Sequence, residues 1–315
     1  MNPSDRTSPE AMRIGLIGYG EVGKIFARAL VERGVAWVGA YDILLSDPGA
    51  APAMRAHADR AGVAALDTMA TLLNRADAVI SAVTASQTLA VATEAAAAIR
   101  PGTWFLDVNS ASPGTKSAAS QIIDTASGRY VESAMMTSVP PYGISVPMLL
   151  GGPHAAEAAR LLGPLGFSME VVSDDIGVAS AIKMCRSVFI KGFESIVIES
   201  YTAARRYGVE AHVLASLAET FPTIDWEKQG AYLFSRVTQH GRRRAEEMRE
   251  AAVTVREAGL EPHMAAASAD RQDMVARLAA QSAFSGLDAS TDWRIFADRI
   301  LARLGENEAR GRGRS

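Results

Sequence analysis

Four stretches of the chain carry side chains whose type and spacing suit chemistry. The first is GYGEVG, with glycines at Gly18, Gly20 and Gly23. In a dinucleotide loop the first glycine makes the tight turn, the second admits a pyrophosphate against backbone N–H groups, and the third lets a helix pack on its strand. Glu21 and Val22 would open that helix, whose unpaired N–H groups and positive dipole end face phosphate. The second is Asp42, which stands 42 − 18 = 24 residues after the first glycine. A carboxylate there accepts hydrogen bonds from ribose hydroxyls and repels a 2′-phosphate. Ile43, Leu44 and Leu45 follow it with no arginine, so the reading prefers NAD to NADP. The plain alternative is a set of turn glycines and an aspartate at a strand end.

The third stretch is a pair of strand ends, Val83-Thr84 and Asn109-Ser110. Small or short polar residues there leave room for a cofactor, and Ser110 can hold a substrate against it. Equally, they can cap helices, with Ser86 capping one from Gln87 and the 109–114 loop capping one from Pro113. The fourth is GVASAIKMCRSVFIKGFESIVIESYTAARR, Gly177 to Arg206, a proline-free run with helical spacing. Lys183, Ser187, Ile190 and Glu194 are offset by 0, 4, 7 and 11 residues and share one face, with Lys191 beside it. Burial against Ile182, Val188 and Ile190 would lower the Lys183 pKa and let a neutral amine accept a proton. The plain alternative is a core helix whose lysines reach water along their stems.

Positioning these groups takes an alternation of strands and helices. Arg13–Gly18, Val35–Tyr41, Val63–Leu66, Asp77–Val83, Thr103–Val108, Tyr130–Thr137, Met148–Gly152 and Gly166–Ser173 read as strands, several of them continuous apolar runs of the kind a parallel sheet buries. Between two of them lies SVPPYGISV, a rigid turn that presents Tyr142. After the long helix the pattern is helical throughout, at Val209–Thr220, from Asp225, and at Tyr232–Glu257. Within the last, His240, Arg244 and Glu247 share a face beside Arg243, a set able to grip a substrate carboxylate or to form a solvated salt-bridged face. Gly241 is expected to interrupt that helix. Trp226, Phe234, Met248 and Trp293 suit core packing.

The fold class that follows is α/β plus all-α, with a Rossmann-type doubly wound sheet joined by a long helix to an all-helical domain. The expected divisions are a flexible leader 1–12, a dinucleotide-binding domain 13–175, a helical substrate or dimerisation domain 176–305 and a flexible tail 306–315. A length of 315 residues suits two domains, and 48% hydrophobic residues with a net charge of −3 give no footprint of a nucleic-acid binder. With Cys185 as the sole cysteine and the histidines scattered, neither a disulfide framework nor a metal site is expected. The expected setting is the cytoplasm, with no membrane contact.

The order GYGEVG, DVNSASPG, SVPPYG, GVASAIKMCRS resembles the 3-hydroxyacid dehydrogenase branch of the 6-phosphogluconate dehydrogenase superfamily, from about Arg13 onward. The resemblance implies Lys183 as the catalytic lysine, Asn109 and Ser110 beside nicotinamide and substrate, the VPPYG turn as the substrate loop, and a homodimer. Ser187 stands where hydroxyacid members have Asn, Ile190 where the sugar-phosphate enzyme has Glu, and Glu246-Glu247 where a second Lys-Asp pair is usual. Those departures point to a divergent branch, similar to members whose helical domain has no assigned function.

The expected activity is hydride transfer between NAD, or NADP, and a small, acidic hydroxy compound. Lys183, Ser187 and Asn109 would be catalytic, and Lys191, Glu194, His240, Arg244, Ser110 and Tyr142 would bind substrate. An imine or bulky-ketone reductase and a non-catalytic dinucleotide-binding regulator are the alternatives.

Overall fold

A computed structural model describes the backbone of residues 11–312 and side chains through residue 305. Eight strands form one sheet: β1 (Arg13–Ile17), β2 (Trp37–Tyr41), β3 (Ala64–Ala65), β4 (Ala78–Ser81), β5 (Trp104–Asp107), β6 (Arg129–Met135), β7 (Pro147–Gly151) and β8 (Ser168–Ser173). Their order is β3-β2-β1-β4-β5-β6-β7-β8. The pairings from β3 through β6 are parallel, β6 and β7 pair antiparallel, and β7 and β8 are parallel again.

Every expected strand is present; the central ones, β4 and β5, are apolar runs buried on both faces, while β3 and β8 at the two ends of the sheet are only partly covered. Alternate side chains feed separate cores. Ala78 and Ile80 of β4 and Leu106 of β5 pack on one side with Ile14 and Leu16, while Val79 and Phe105 pack on the other with Leu72, Ile123 and Tyr130. The helices that cover these faces are α1 (Glu21–Glu32), α2 (Ala51–Arg60), α3 (Met69–Arg75), α4 (Thr88–Ala96), α5 (Pro113–Thr125) and α6 (Ala155–Leu162).

Helix α7 runs from Val178 to Tyr207 and is followed by α8 (Glu210–Thr220), α9 (Trp226–Glu257), α10 (His263–Ala280) and α11 (Trp293–Arg312). Contacts divide the chain into two compact units between Met184 and Cys185, inside α7, so Lys183 belongs to the first unit. The second unit has its own core, with Trp293, Phe234, Phe296, Tyr201 and Trp226 packed as expected of apolar aromatics.

Several local expectations are corrected. Met12 is not leader but core, 3% exposed against the sheet, while residues 1–10 lie outside the described set. The tail from Glu306 continues the backbone of α11 as far as Arg312. Ser86 does not cap α4, which begins at Thr88 with Gln87 at its N-cap. Helix α9 starts at Trp226, capped by the Asp225 carboxylate accepting from Lys228 N, and passes through Gly241 without interruption. Gly241 is there for packing: a Cβ on it would sit 3.0 Å from the carbonyl oxygen of Gln272 on α10.

Candidate dinucleotide and active site

The three loop glycines meet three separate demands. Gly18 turns with φ +94°, and a Cβ on it would lie 2.4 Å from the Ala82 carbonyl oxygen. A Cβ on Gly23 would lie 2.1 Å from the Gly18 carbonyl oxygen, so the first turn of α1 closes onto its loop only with glycine there. A Cβ on Gly20 would meet nothing within 4 Å; it would project into open space above the helix start. Gly20 is also the N-cap of α1 and supplies no side-chain acceptor, so the first N–H groups of the helix lack a side-chain cap. Exposed Glu21 and half-buried Val22 form the opening of that turn.

Asp42 is tied to this loop. Its carboxylate accepts from the backbone N–H of Tyr19 at 2.7 Å and of Leu44 at 2.9 Å, which bridges the ends of β1 and β2. The open glycine edge, the uncapped helix start and a carboxylate at the end of β2 fit a dinucleotide: pyrophosphate on the α1 N–H groups, ribose hydroxyls on Asp42.

The ends of β4 and β5 lie at the same edge, since these strands run parallel to β1. Asn109 is 3% exposed. Its Oδ1 accepts from Val83 N at 2.7 Å, and its Nδ2 donates to Ser81 Oγ at 3.1 Å. The amide expected to take part in catalysis holds the Val83 backbone beside the crevice. Thr84 is exposed at the rim.

Beneath Asn109 lies a charge network that the sequence reading missed. Lys116 of α5, fully buried, meets Asp107 Oδ1 at 2.9 Å and the Asp107 carbonyl oxygen at 2.9 Å. Asp107 also accepts from Asn109 N at 2.9 Å and from the Tyr130 hydroxyl at 2.7 Å. Burial, then the Asp107 charge, drives the Tyr130 phenol well above its ordinary pKa, so it remains a donor. The sequence held no local signal for this burial, since Ser112 and Ser120 stand four residues to either side of Lys116 on the same helix face and suit an exposed lysine equally.

Lys183 and Ser110 are brought together. Lys183 Nζ donates to Ser110 Oγ at 2.5 Å, joining α7 to the end of β5, and Ser110 is only partly buried. Ile182 and Ile190 are 41% and 36% exposed, so they do not supply the apolar burial expected around the lysine. Tyr142 is 54% exposed on its turn.

A second missed residue is Glu132 on β6, 0% exposed. Its two oxygens accept from the N–H groups of Gly177 and Ser180, both at 2.6 Å, at the start of α7.

The second unit contains a different arrangement. Its buried stripe on α7 is Ser187, Lys191 and Glu194; Ile190, expected among them, faces outward. Lys191 Nζ meets Glu247 Oε2 at 2.8 Å and Ser187 Oγ at 3.0 Å. Arg244 binds the Glu194 carboxylate with Nε at 2.7 Å and with Nη2, and Gln272 Nε2 reaches Glu194 at 3.3 Å. Lys191, Glu194 and Arg244 were expected to contact substrate; in the structure the Lys191 charge is met by Glu247 and the Glu194 charge by Arg244, as buried ions must be. His240 is half-buried on the same helix as Arg244.

Residues 13–110 match a family described as NADP oxidoreductase, coenzyme F420-dependent, and residues 204–275 match a domain of unknown function, DUF1932. A conserved hypothetical protein from Sinorhizobium meliloti 1021 is 39% identical, with 96% of this chain and 99% of that one covered and a TM-score of 0.75. The conserved protein MTH1747, described as structurally similar to 3-hydroxyacid dehydrogenases, is 31% identical over 85% of this chain and 99% of its own, with a TM-score of 0.64. The Mycobacterium tuberculosis 3-hydroxyisobutyrate dehydrogenase solved with L-serine shares the fold, at 19% identity over 92% and 98% of the two chains and a TM-score of 0.67. Full-length similarity to the first two, with the glycine loop, the eight-stranded sheet and the lysine-bearing helix, shows that the chain belongs to their family, a divergent branch of the 3-hydroxyacid and 6-phosphogluconate dehydrogenase superfamily.

Proposed function

We propose that the protein is a nicotinamide-dinucleotide-dependent oxidoreductase acting on the hydroxyl-bearing carbon of a small, acidic hydroxy compound, with Lys183 as general acid and base. The observation that carries this reading is the 2.5 Å contact between Lys183 Nζ and Ser110 Oγ, at the strand edge that holds the glycine loop. The cofactor supplies the hydride chemistry; the protein supplies orientation and proton handling. Ser110 holds the substrate oxygen beside Lys183. As the alcohol is oxidised, the neutral amine of Lys183 takes the hydroxyl proton, and in the reverse direction its ammonium polarises the carbonyl and returns the proton. Asn109 keeps the Val83 backbone clear of the nucleotide crevice.

Lys183→Met is expected to lower turnover by ~10²-fold or more on a panel of 3-hydroxyacids and hydroxy-aldehydes, with NADH affinity unchanged. Normal turnover in that variant would sink the assignment. A wild type that binds dinucleotide and turns over nothing on the panel would indicate a regulator instead.

NAD is the preferred cofactor in this proposal. The support is Asp42, a carboxylate where a 2′-phosphate would have to sit, although the matching family description names NADP. Fluorescence titration should give tighter binding of NADH than NADPH, and Asp42→Ser should narrow the gap. Equal affinity in the wild type would overturn the preference.

The active form proposed is a homodimer. In the second unit Phe189, Ile196 and Met264 are 74%, 52% and 57% exposed, an apolar area that a second copy would cover. Sedimentation velocity should show a dimer that Phe189→Glu weakens.

A further inference from the structure

We propose that Glu132 is the positioning residue for Lys183, an inference that rests on the role given to Lys183 above. A carboxylate enclosed within a sheet is costly unless its charge is answered. Among the described residues no lysine, arginine or histidine forms an ion pair with Glu132; its partners are the backbone N–H groups of Gly177 and Ser180. The compensation comes from the first amides of a 30-residue helix and the positive end of its dipole.

An ordinary helix is capped by a side chain from its own preceding residue. Here that residue is Gly177, with φ +104° and no side chain, and the acceptor comes from a strand 45 residues earlier. A local cap secures a helix to itself, whereas a cap from β6 secures it to the sheet.

The consequence reaches Lys183 because Ser180 lies three residues before it, nearly one turn. The opening of α7 therefore has two attachments to adjacent strands: Ser180 N to Glu132 on β6, and Lys183 Nζ to Ser110 at the end of β5. The first sets the rotation of the helix about its axis, and the second uses it. Gly151 of β7 leaves room for the carboxylate: a Cβ there would stand 2.6 Å from Glu132 Oε2.

The test reads the position of Lys183 without needing its substrate. Full-length wild type and Glu132→Gln are treated with limiting acetic anhydride, and acetylation of Lys183 is measured by peptide mass spectrometry against Lys24 and Lys228 as internal references. With the amide in place of the carboxylate, one N–H of α7 faces a donor, the helix start shifts, and Lys183 leaves Ser110. Labelling of Lys183 relative to the references is expected to rise by roughly fivefold, and kcat on any substrate found for the wild type to fall by about tenfold with KM little changed, as expected for a group displaced by less than 1 Å. NADH affinity should stay within about twofold, since the glycine loop is untouched.

A folded Glu132→Gln whose Lys183 labels at the wild-type relative rate would overturn the inference. A residue with a merely structural role would lower Tm and leave that ratio alone. Should Glu132→Gln fail to fold, Gly151→Ala pushes the carboxylate while keeping its charge, and must change the ratio in the same direction. The two readings fail separately. Lys183→Met with normal turnover removes the catalytic role whatever the labelling shows, whereas unchanged labelling in Glu132→Gln alongside an inactive Lys183→Met removes only the role of Glu132.

Discussion

At Gly23 one methyl group decides whether the nucleotide loop can close. Its Cβ would meet the Gly18 carbonyl oxygen at 2.1 Å, and that atom is backbone with no rotamer to yield. Gly23→Ala should therefore weaken NADH binding by at least about tenfold while leaving the second unit intact, which titration and circular dichroism would check. Gly20→Ala differs in kind: its Cβ enters open space, so stability should hold while only the bound dinucleotide is crowded. If both variants bound NADH normally, the cradle would be wrongly placed. The loop motif and Asp42 were legible because each acts through its own backbone or within a few residues of it. Asn109 was not, since its role as a brace depends on Ser81 and Val83 lying alongside.

The helices of the second unit show how a rule about single elements yields to packing. In an isolated helix Gly241→Ala gains about 1 kcal/mol. Against α10 the new Cβ would lie 3.0 Å from the Gln272 carbonyl oxygen and 3.2 Å from the Ala276 Cβ. Overpacking of roughly 1–3 kcal/mol should win, so urea denaturation is expected to show a less stable variant. A more stable Gly241→Ala would mean that α9 and α10 sit less closely. The buried pair between Arg244 and Glu194 gives a larger effect. Glu194→Gln leaves the Arg244 guanidinium without its counter-charge in a dry site and should cost about 3–5 kcal/mol, with Arg244→Met in the same chain recovering part of the loss. The charge run on α9 suited a solvated face more readily than a substrate grip; for Arg244 the structure shows neither, but a partner 50 residues away on α7.

For the molecule as a whole, part of the acid sensitivity should come from the opposite edge of the sheet. Burial raises the Asp77 carboxyl pKa, but hydrogen bonds from the Arg13 side chain and backbone, with the Arg13 and Arg100 charges, outweigh it and hold the pKa below its ordinary value. A depressed carboxyl stabilises the fold above the unfolded pKa of about 4 and loses that contribution as pH falls through the folded value. Because the pair is partly exposed, the amount is modest, roughly 0.5–1 kcal/mol. Asp77→Asn should lower Tm at pH 7 and make little difference near pH 3; an equal deficit at both would contradict the linkage. Among the described residues no helix is long and apolar enough to cross a membrane.

The sequence by itself determined the eight strands, the long helix, the glycine loop and the family, because strand burial, helical spacing and turn geometry are written in neighbouring residues. It also singled out Lys183 and Ser110 as separate candidates. Only the tertiary structure decided that they touch, that Glu132 and Lys116 are buried charges, the one bonded to the start of α7 and the other to Asp107, and that Lys191 meets Glu247 while Glu194 meets Arg244. The reason is common to all of them. A charge can be buried only when a partner meets it, and here, apart from Lys116 and Asp107, the partners lie tens of residues away, where no local pattern records them.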